Sequence, residues 1–446
     1  MPQNRSEAMT ICPNSITLDL MFMLTKLSNL AKTMKSNDFI RHNAIYFIGS
    51  LAISALNYLY YPVLGRLLPL ESFGELQVLI SLFTQMTIFV TVLTLVSTNI
   101  ISNETDTDVV NKTVSELEKI TLYVGYALMA VVIILAPHLQ SALKFESAWP
   151  FIIIGLVFLA GITTGFRTAY LRGKSAFLGA TIAGLLTAAS KIAASALLVL
   201  AGYKTSGAAG GILAAQLIGL GYAAYKARKL GFIKHRSGVR PDWALLRPQA
   251  RYAGLVLFVS LVTTLQYSAD VTIVKYLFSP EIAGQYAGIA TISRIVLFLT
   301  GSFSVVLLSA VKINRQPRDN SNLLIRSLLM TLALGGSATI IFTFFPTQVI
   351  HLLFGAKYDA FAHLLPLLSI AMLMMSLSNL IANYHIALRH YRVMWFVGIG
   401  ALVTVILLLL GHGSPDAVVR SLAIGSGSML AGLLGWTGYR AGFKLQ

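Results

Sequence analysis

Long apolar segments recur along the whole of this chain, and they constrain its fold more than any other feature. A membrane-spanning helix needs about 20 apolar residues, whereas a spanning strand shows alternation over about ten. The segments are continuous, so the sequence predicts an all-α integral membrane protein with about twelve transmembrane helices. They begin near Ala44, Phe73, Ile120, Trp149, Ala176, Gly207, Tyr252, Ala283, Leu324, Phe361, Val393 and Pro415.

The overall composition agrees with a chain whose solvent is mostly lipid. Mean hydropathy is +0.73, and 56% of residues are hydrophobic while 11% are charged. Such values exclude an ordinary soluble domain. Cys12 is the only cysteine, which excludes an internal disulfide framework. The chain has no glycine-rich phosphate loop, nucleophile elbow or zinc-binding helix motif, so we predict neither an enzyme nor a bound cofactor.

The basic residues are distributed unevenly between alternate loops. Of 34 Lys and Arg, 26 fall in the tails and even-numbered loops if the amino terminus is cytoplasmic. The odd-numbered loops carry one each, namely Arg66, Lys144, Lys204, Lys275, Lys357 and Arg420. This bias predicts that both termini are cytoplasmic, and it explains the positive charge without nucleic acid. The segment from Ile101 to Lys119 is the predicted polar connection between spans 2 and 3.

A long basic connection divides the chain into two lobes of six helices. We predict a cytoplasmic amino-terminal extension (1–41), a first lobe (42–228), a basic cytoplasmic linker (229–250), a second lobe (251–440) and a tail (441–446). Met34 is an alternative start, which leaves open whether residues 1–33 belong to the native protein.

The two predicted lobes share a sequence motif. GRLLPLESFGELQ, from Gly65, aligns with KYLFSPEIAGQYA, from Lys275, so that Glu71 matches Glu281 and Gly74 matches Gly284. Both copies lie on the same predicted side of the membrane, which indicates a parallel pseudo-repeat. Two lobes related in this way commonly enclose a central cavity and act by alternating access.

Polar residues within the predicted spans identify surfaces that avoid lipid. Asn57 lies on a polar stripe of span 1, Gln77 begins a stripe in span 2, and Gln266 lies in span 7. They either line a cavity or join neighbouring helices by hydrogen bonds.

Three ionisable residues at depth are sharper candidates, because Lys191 and Arg294 lie inside spans 5 and 8 and Asp270 lies inside span 7. A charge at the bilayer centre costs about 2.5 to 3.5 kcal/mol, so these side chains should face a polar interior. Their net positive charge favours an anionic substrate. Alternatively Asp270 pairs with Lys191 or Arg294, or serves as a protonatable coupling site. Arg167, near the inner end of span 4, either meets a phosphate that arrives from the cytoplasm or is an interface anchor.

Several motifs resemble a known family. YYPVLGRLLPLESFGELQVLISL from Tyr60, FGAKYDAFAHLLPLLSI from Phe354, and the basic turns after spans 4 and 10 are similar to the polysaccharide-transport and O-antigen flippases. These belong to the MOP (multidrug, oligosaccharidyl-lipid and polysaccharide) exporter superfamily, which includes the MATE transporters. The resemblance extends over residues 40 to 440.

The resemblance implies a flippase of the bacterial inner membrane that moves an undecaprenyl-pyrophosphate-linked, anionic oligosaccharide by alternating access. It implies that cavity cations such as Lys191, Arg294 and Arg167 hold the pyrophosphate or acidic sugars. The resemblance also implies that transport is coupled to protons or Na⁺. The expected partners are membrane lipids, a polysaccharide polymerase and a chain-length regulator. Twelve rather than fourteen spans make the peptidoglycan precursor a less expected cargo.

Two other functions compete with this interpretation. A MATE-type drug exporter would favour acidic residues at depth, and here the basic residues outnumber them. A membrane polymerase or ligase of the same pathway would carry a long outward loop, which the sequence lacks.

Overall fold

A computed structural model describes residues 38–233, 243–311, 316–411 and 413–442, which are helical with short connections and contain no β-strand. We call α1 to α6 the first half: α1 (Asp38–Leu67), α2 (Leu70–Asn103), α3 (Thr107–Ala142), α4 (Trp149–Gly173), α5 (Phe177–Leu198) and α6 (Lys204–Lys229). The second half comprises α7 (Trp243–Leu277), α8 (Pro280–Ser293), α9 (Ile295–Ala310), α10 (Pro317–Phe344), α11 (Pro346–Leu353), a 3₁₀ helix (Ala356–Leu364), α12 (Leu365–Ala387), α13 (Val393–Leu410) and α14 (Pro415–Gly442).

Ten helical stretches in the described residues are long and apolar enough to cross a membrane, which confirms a multi-pass helical membrane protein. One of them, Phe177–Lys229, contains two helices. The chain reverses at a π-helical turn, Val199–Tyr203, where Gly202 has a φ of 93°. Across the turn, the Ser195 hydroxyl donates a 3.0 Å hydrogen bond to the carbonyl of Ala208. The count of twelve spans stays a prediction.

Helix α3 begins at Thr107, well before the predicted start of span 3, so most of the predicted polar connection from Ile101 to Lys119 is helical. Asp106 explains the early start, because its carboxylate accepts hydrogen bonds from the backbone N–H groups of Asp108 and Val109 at 2.8 and 3.3 Å. The first turns then bury Val110, Val114 and Leu117 together with Glu116 and Glu118, while Asp108 stays exposed.

The predicted domain boundaries are not fixed by these helices. Helix α7 begins at Trp243, inside the predicted linker, while residues 234–242 lie outside the described residues. Most of the predicted extension (1–37) and of the tail (443–446) lies outside them too. Within the first half, α4 packs against α2, α3 and α6, and α1 packs against α5. In the second half α12 is central and packs against α9, α10 and α14.

The repeated motif places its two copies against each other. Glu71 lies in the first turn of α2 and Glu281 in the first turn of α8. The two helices cross where the matched glycines meet, since a Cβ atom on Gly74 would lie 3.0 Å from the Cα atom of Gly284. Only glycine allows two backbones to approach this closely. The motif therefore forms part of the contact between the halves.

The halves also meet at their outer ends, named by the predicted orientation. Residues 65–68 at the end of α1 contact residues 353–358, and we call this contact the outer seal. Its hydrogen bonds include Lys357 Nζ to Leu68 O (2.6 Å), Tyr358 Oη to Gly65 O (3.0 Å) and Arg66 Nε to Leu353 O (3.2 Å). Further inward, the Ser81 hydroxyl donates to Ser268 O at 2.6 Å.

Candidate functional site

Arg294 and Asp270 form a buried ion pair within the second half. Arg294 lies at the break between α8 and α9, and its Nη2 atom is 2.7 Å from Asp270 Oδ1. Its Nε atom donates to the carbonyl of Tyr267 at 3.1 Å. The Tyr286 hydroxyl donates to the other carboxylate oxygen at 2.9 Å. Of the alternatives left open by the sequence, the structure therefore shows the pairing of Asp270 with Arg294.

Arg167 is neutralised in a similar way within the first half. Its two terminal nitrogens contact the two carboxylate oxygens of Glu118 at 2.8 and 3.1 Å. The guanidinium lies 4.2 Å from the centre of the Phe232 ring, and both charged groups are buried. A fork bound to a carboxylate has few donors left for a phosphate.

Lys191 differs from both arginines because no carboxylate of the described residues lies within ion-pair distance of it. Its ammonium donates to the Asn57 side-chain oxygen at 2.6 Å and lies 4.5 Å from the centre of the Tyr60 ring. An amide dipole and an aromatic face stabilise a cation without cancelling its charge. Lys191 thus retains a net positive charge inside the first half.

An open cavity of about 430 Å³ is lined by Asn57, the residue that accepts the hydrogen bond from Lys191. Helices α1, α2, α4, α5 and α6 surround it, and hydroxyl, amide and small side chains form most of its wall. We call this space the first-half cavity. Its polar lining residues are Ser50, Ser54, Asn57, Thr94, Thr164, Thr168, Arg172, Thr181, Thr187 and Gln216.

The two predicted glutamines lie elsewhere. Gln77 is 2% exposed, and its amide nitrogen has no partner among the described residues. Gln266 donates to the Thr404 hydroxyl at 3.1 Å, which joins α7 to α13. Neither lines the first-half cavity. Of the predicted site residues, the structure brings together Lys191 with Asn57 and Arg294 with Asp270, whereas Arg167 binds Glu118 and Gln266 binds Thr404.

Sequence reasoning missed the cavity wall supplied by α4, α5 and α6, notably Thr181, Arg172 and Gln216. The sequence does contain a signal for the α4 wall, because Gly161 and Gly165 are each followed three residues later by a threonine. Residues with this spacing share a helix face, and the small glycines leave open space beside the threonine hydroxyls. Sequence reasoning also missed Glu118, which lay in the supposed connection. The described residues contain no group of three or more His, Cys, Asp or Glu placed to hold a metal ion.

The fold of this chain is shared by solved membrane proteins. It is similar to an inward-facing MATE multidrug resistance transporter of the MOP superfamily, with 12% identity, a TM-score of 0.69, and 88% of this chain and 96% of the other covered. It is similar to the lipid II flippase MurJ in an inward closed conformation, with 15% identity, a TM-score of 0.71, and coverage of 89% and 87%. An outward-facing MATE transporter gives a TM-score of 0.58 at 13% identity, covering 91% and 96%.

Sequence comparison identifies the family. Residues 40–308 match the family described as polysaccharide biosynthesis protein, so the chain belongs to that family. Comparison with curated proteins gave no significant match. The family and the similar structures confirm the resemblance noted in the sequence. The similar structures are described as multidrug transporters and a lipid II flippase.

Proposed function

We propose that this protein is a flippase that carries undecaprenyl-pyrophosphate-linked oligosaccharides across the bacterial cytoplasmic membrane. The units would serve O-antigen, capsule or exopolysaccharide assembly. A polymerase and a chain-length regulator would act on the product at the outer face, and proton or Na⁺ coupling would drive the cycle.

The two faces of α1 carry the proposal. Ser50, Ser54 and Asn57 line the first-half cavity. An open groove of about 840 Å³ lies on the other side of the helix and is lined by Ala52, Ala55, Leu56, Tyr58, Leu59, Pro62, Val63, Arg66, Leu352 and Leu353. At 3.6 residues per turn the two sets of α1 residues project in opposite directions. One helix therefore separates a polar chamber from an apolar surface, which suits a cargo with a saccharide head and a long lipid tail.

The charge arrangement supports an anionic cargo. Lys191 retains its charge, whereas the deep carboxylates Asp270 and Glu118 are bound by arginines. An organic cation would therefore find no free carboxylate at these two positions, which disfavours the MATE-type alternative. A pyrophosphate or acidic sugar would gain a charge-assisted hydrogen bond from Lys191.

The contacts between the halves support alternating access. The hydrogen bonds described above join the halves at the outer seal and in the outer half of α2, and the fold is more similar to the inward-facing than to the outward-facing MATE structure. Opening the seal while closing the inner ends would turn the binding space outward.

Complementation tests the proposal. A flippase-null strain with intact glycan assembly genes should regain surface polysaccharide when it expresses this protein. Expression of the Lys191→Arg variant should restore surface polysaccharide as well. A drug-efflux-deficient strain that expresses the same protein should show unchanged resistance to organic cations. Restored resistance without surface polysaccharide, at verified membrane expression, would contradict the proposal and favour drug export.

A further inference from the structure

The first-half cavity has the chemistry of a ligand site rather than of a packing gap. Thr164, Thr168 and Thr187 each donate to the carbonyl four residues earlier in their own helix. Their oxygen lone pairs therefore stay available on the cavity wall as acceptors. The Asn57 oxygen is used by Lys191, which leaves its amide N–H₂ group as a donor.

Thr181 provides independent evidence for an absent partner. Its side chain is 4% exposed and lines the cavity, yet its hydroxyl has no hydrogen-bond partner among the described residues. A buried hydroxyl without a partner costs about 1 to 3 kcal/mol. A ligand hydroxyl in the cavity would satisfy it.

One cation lines the cavity, and a second is bound to one of its lining residues. Arg172 lies exposed at the inner end of α4 and lines the cavity. Lys191 lies ten residues beyond Thr181 on α5 and donates a hydrogen bond to Asn57 of the cavity wall. Ten helical residues span about 15 Å. An extended molecule with many hydroxyl groups and an anionic substituent matches this wall better than an apolar or cationic one.

We propose that the first-half cavity is the binding site for the saccharide portion of the cargo, with Thr181 and its neighbouring hydroxyls contacting sugar hydroxyls and Lys191 contacting an acidic group. This inference rests on the proposed function. It assigns the sugar to the interior of the first half, away from the cleft between the halves.

Threonine-to-valine substitutions test the assignment with a matched control. Thr181→Val keeps the shape of the side chain and removes only a hydroxyl that has no hydrogen-bond partner among the described residues, so the protein should fold normally. Thr331 on α10 is the control, since it is 1% exposed and its hydroxyl likewise has no partner among described residues. Melting temperatures of the full-length variants verify folding.

Binding is measured by native mass spectrometry with two probes, undecaprenyl pyrophosphate and lipid-linked saccharide extracted from the producing cells. Thr181→Val should weaken binding of the saccharide-bearing lipid about five- to tenfold, the loss expected for one hydrogen bond, and should leave the bare carrier unaffected. Thr331→Val should change neither.

Each other outcome contradicts a distinct claim. Unchanged saccharide binding in Thr181→Val, or equal weakening of both probes, would overturn the saccharide site while leaving the flippase function intact. Failure of the wild-type protein to bind either probe would remove the proposed function, and the saccharide site with it.

Discussion

The two halves use their buried polar residues in different ways. In the second half the polar groups pair across helices, as in the Arg294 and Asp270 ion pair and the 2.9 Å hydrogen bond from Thr300 to Ser376. The first half also has a buried ion pair, Arg167 with Glu118, and threonines of both halves bond to their own helix. In the first half, however, such threonines line an open cavity together with Asn57, the partner of Lys191, which no described carboxylate neutralises. The difference between the halves is thus a polar cavity with an unpaired lysine next to its wall.

The largest loss of stability is expected when the buried ion pair of the second half is broken. Asp270→Ala should destabilise the protein by about 3 to 5 kcal/mol, because Arg294 would remain buried without its counter-ion. Thermal unfolding in detergent, followed by size-exclusion chromatography, measures the loss. The double variant Asp270→Asn with Arg294→Gln removes both charges and should recover most of the stability. A single variant as stable as wild type would contradict a structural role for the pair.

Lys191→Met should instead reduce transport while leaving stability nearly unchanged. The side chain makes one hydrogen bond within the protein, to Asn57, so little packing is lost. A charge-assisted hydrogen bond to an anionic cargo is worth about 1.5 to 3 kcal/mol, which predicts at least a tenfold loss of flipping. Flipping by proteoliposomes that contain equal amounts of folded protein is the measurement. Lys191→Arg should retain most activity, and wild-type flipping by Lys191→Met would refute the role.

The close approach of α2 and α8 at Gly74 and Gly284 predicts that a larger residue there would change how the two halves pack. A Cβ atom on Gly284 would collide with the backbone of Leu70, so Gly284→Ala should push α2 and α8 apart at a cost of about 1 to 3 kcal/mol. We expect greater opening of the outer seal, measured by spin-label distances across it. Gly301→Ala is the matched control, because nothing lies within 4 Å of a Cβ atom there. Equal distances in both variants would contradict the importance of the crossing.

The smallest effect is expected at the outer seal. Tyr358→Phe removes the 3.0 Å hydrogen bond to the carbonyl of Gly65 and keeps the ring contacts with Phe73 and Phe354. One hydrogen bond is worth about 0.5 to 1.5 kcal/mol, so the outward-open population should rise by up to about tenfold. The same spin-label distances report it, and an unchanged population would exclude this bond from the seal.

Much of the fold could be predicted from the sequence because lipid imposes a strong pattern. The apolar runs located most of the helices, and the matched glycines pointed to a repeated motif whose copies proved to touch. The helical start of α3 was missed because its amphipathic first turns carry as many charges as a loop. For helices bounded by water, apolar length alone is therefore a poor guide to where the helix begins.

The candidate site was less predictable, because its properties depend on which helices are neighbours. The sequence showed that Lys191, Arg294 and Arg167 lie deep, but pairing depends on distances between side chains far apart along the chain. Glu118 lies 49 residues from Arg167 and still meets it in a bidentate contact. Thr181 resembles any other hydroxyl in the sequence, and only its burial beside a cavity without a partner distinguishes it.

The most direct test of this asymmetry is a comparison of flipping rates for two charge-removing variants in proteoliposomes that contain lipid-linked saccharide. One is Lys191→Met, and the other is the paired Asp270→Asn with Arg294→Gln, each compared at equal amounts of folded protein. We predict that the paired variant flips the lipid at close to the wild-type rate and that Lys191→Met is at least tenfold slower. The reverse order, with the paired variant inactive and Lys191→Met active, would contradict the assignment of cargo binding to the first half.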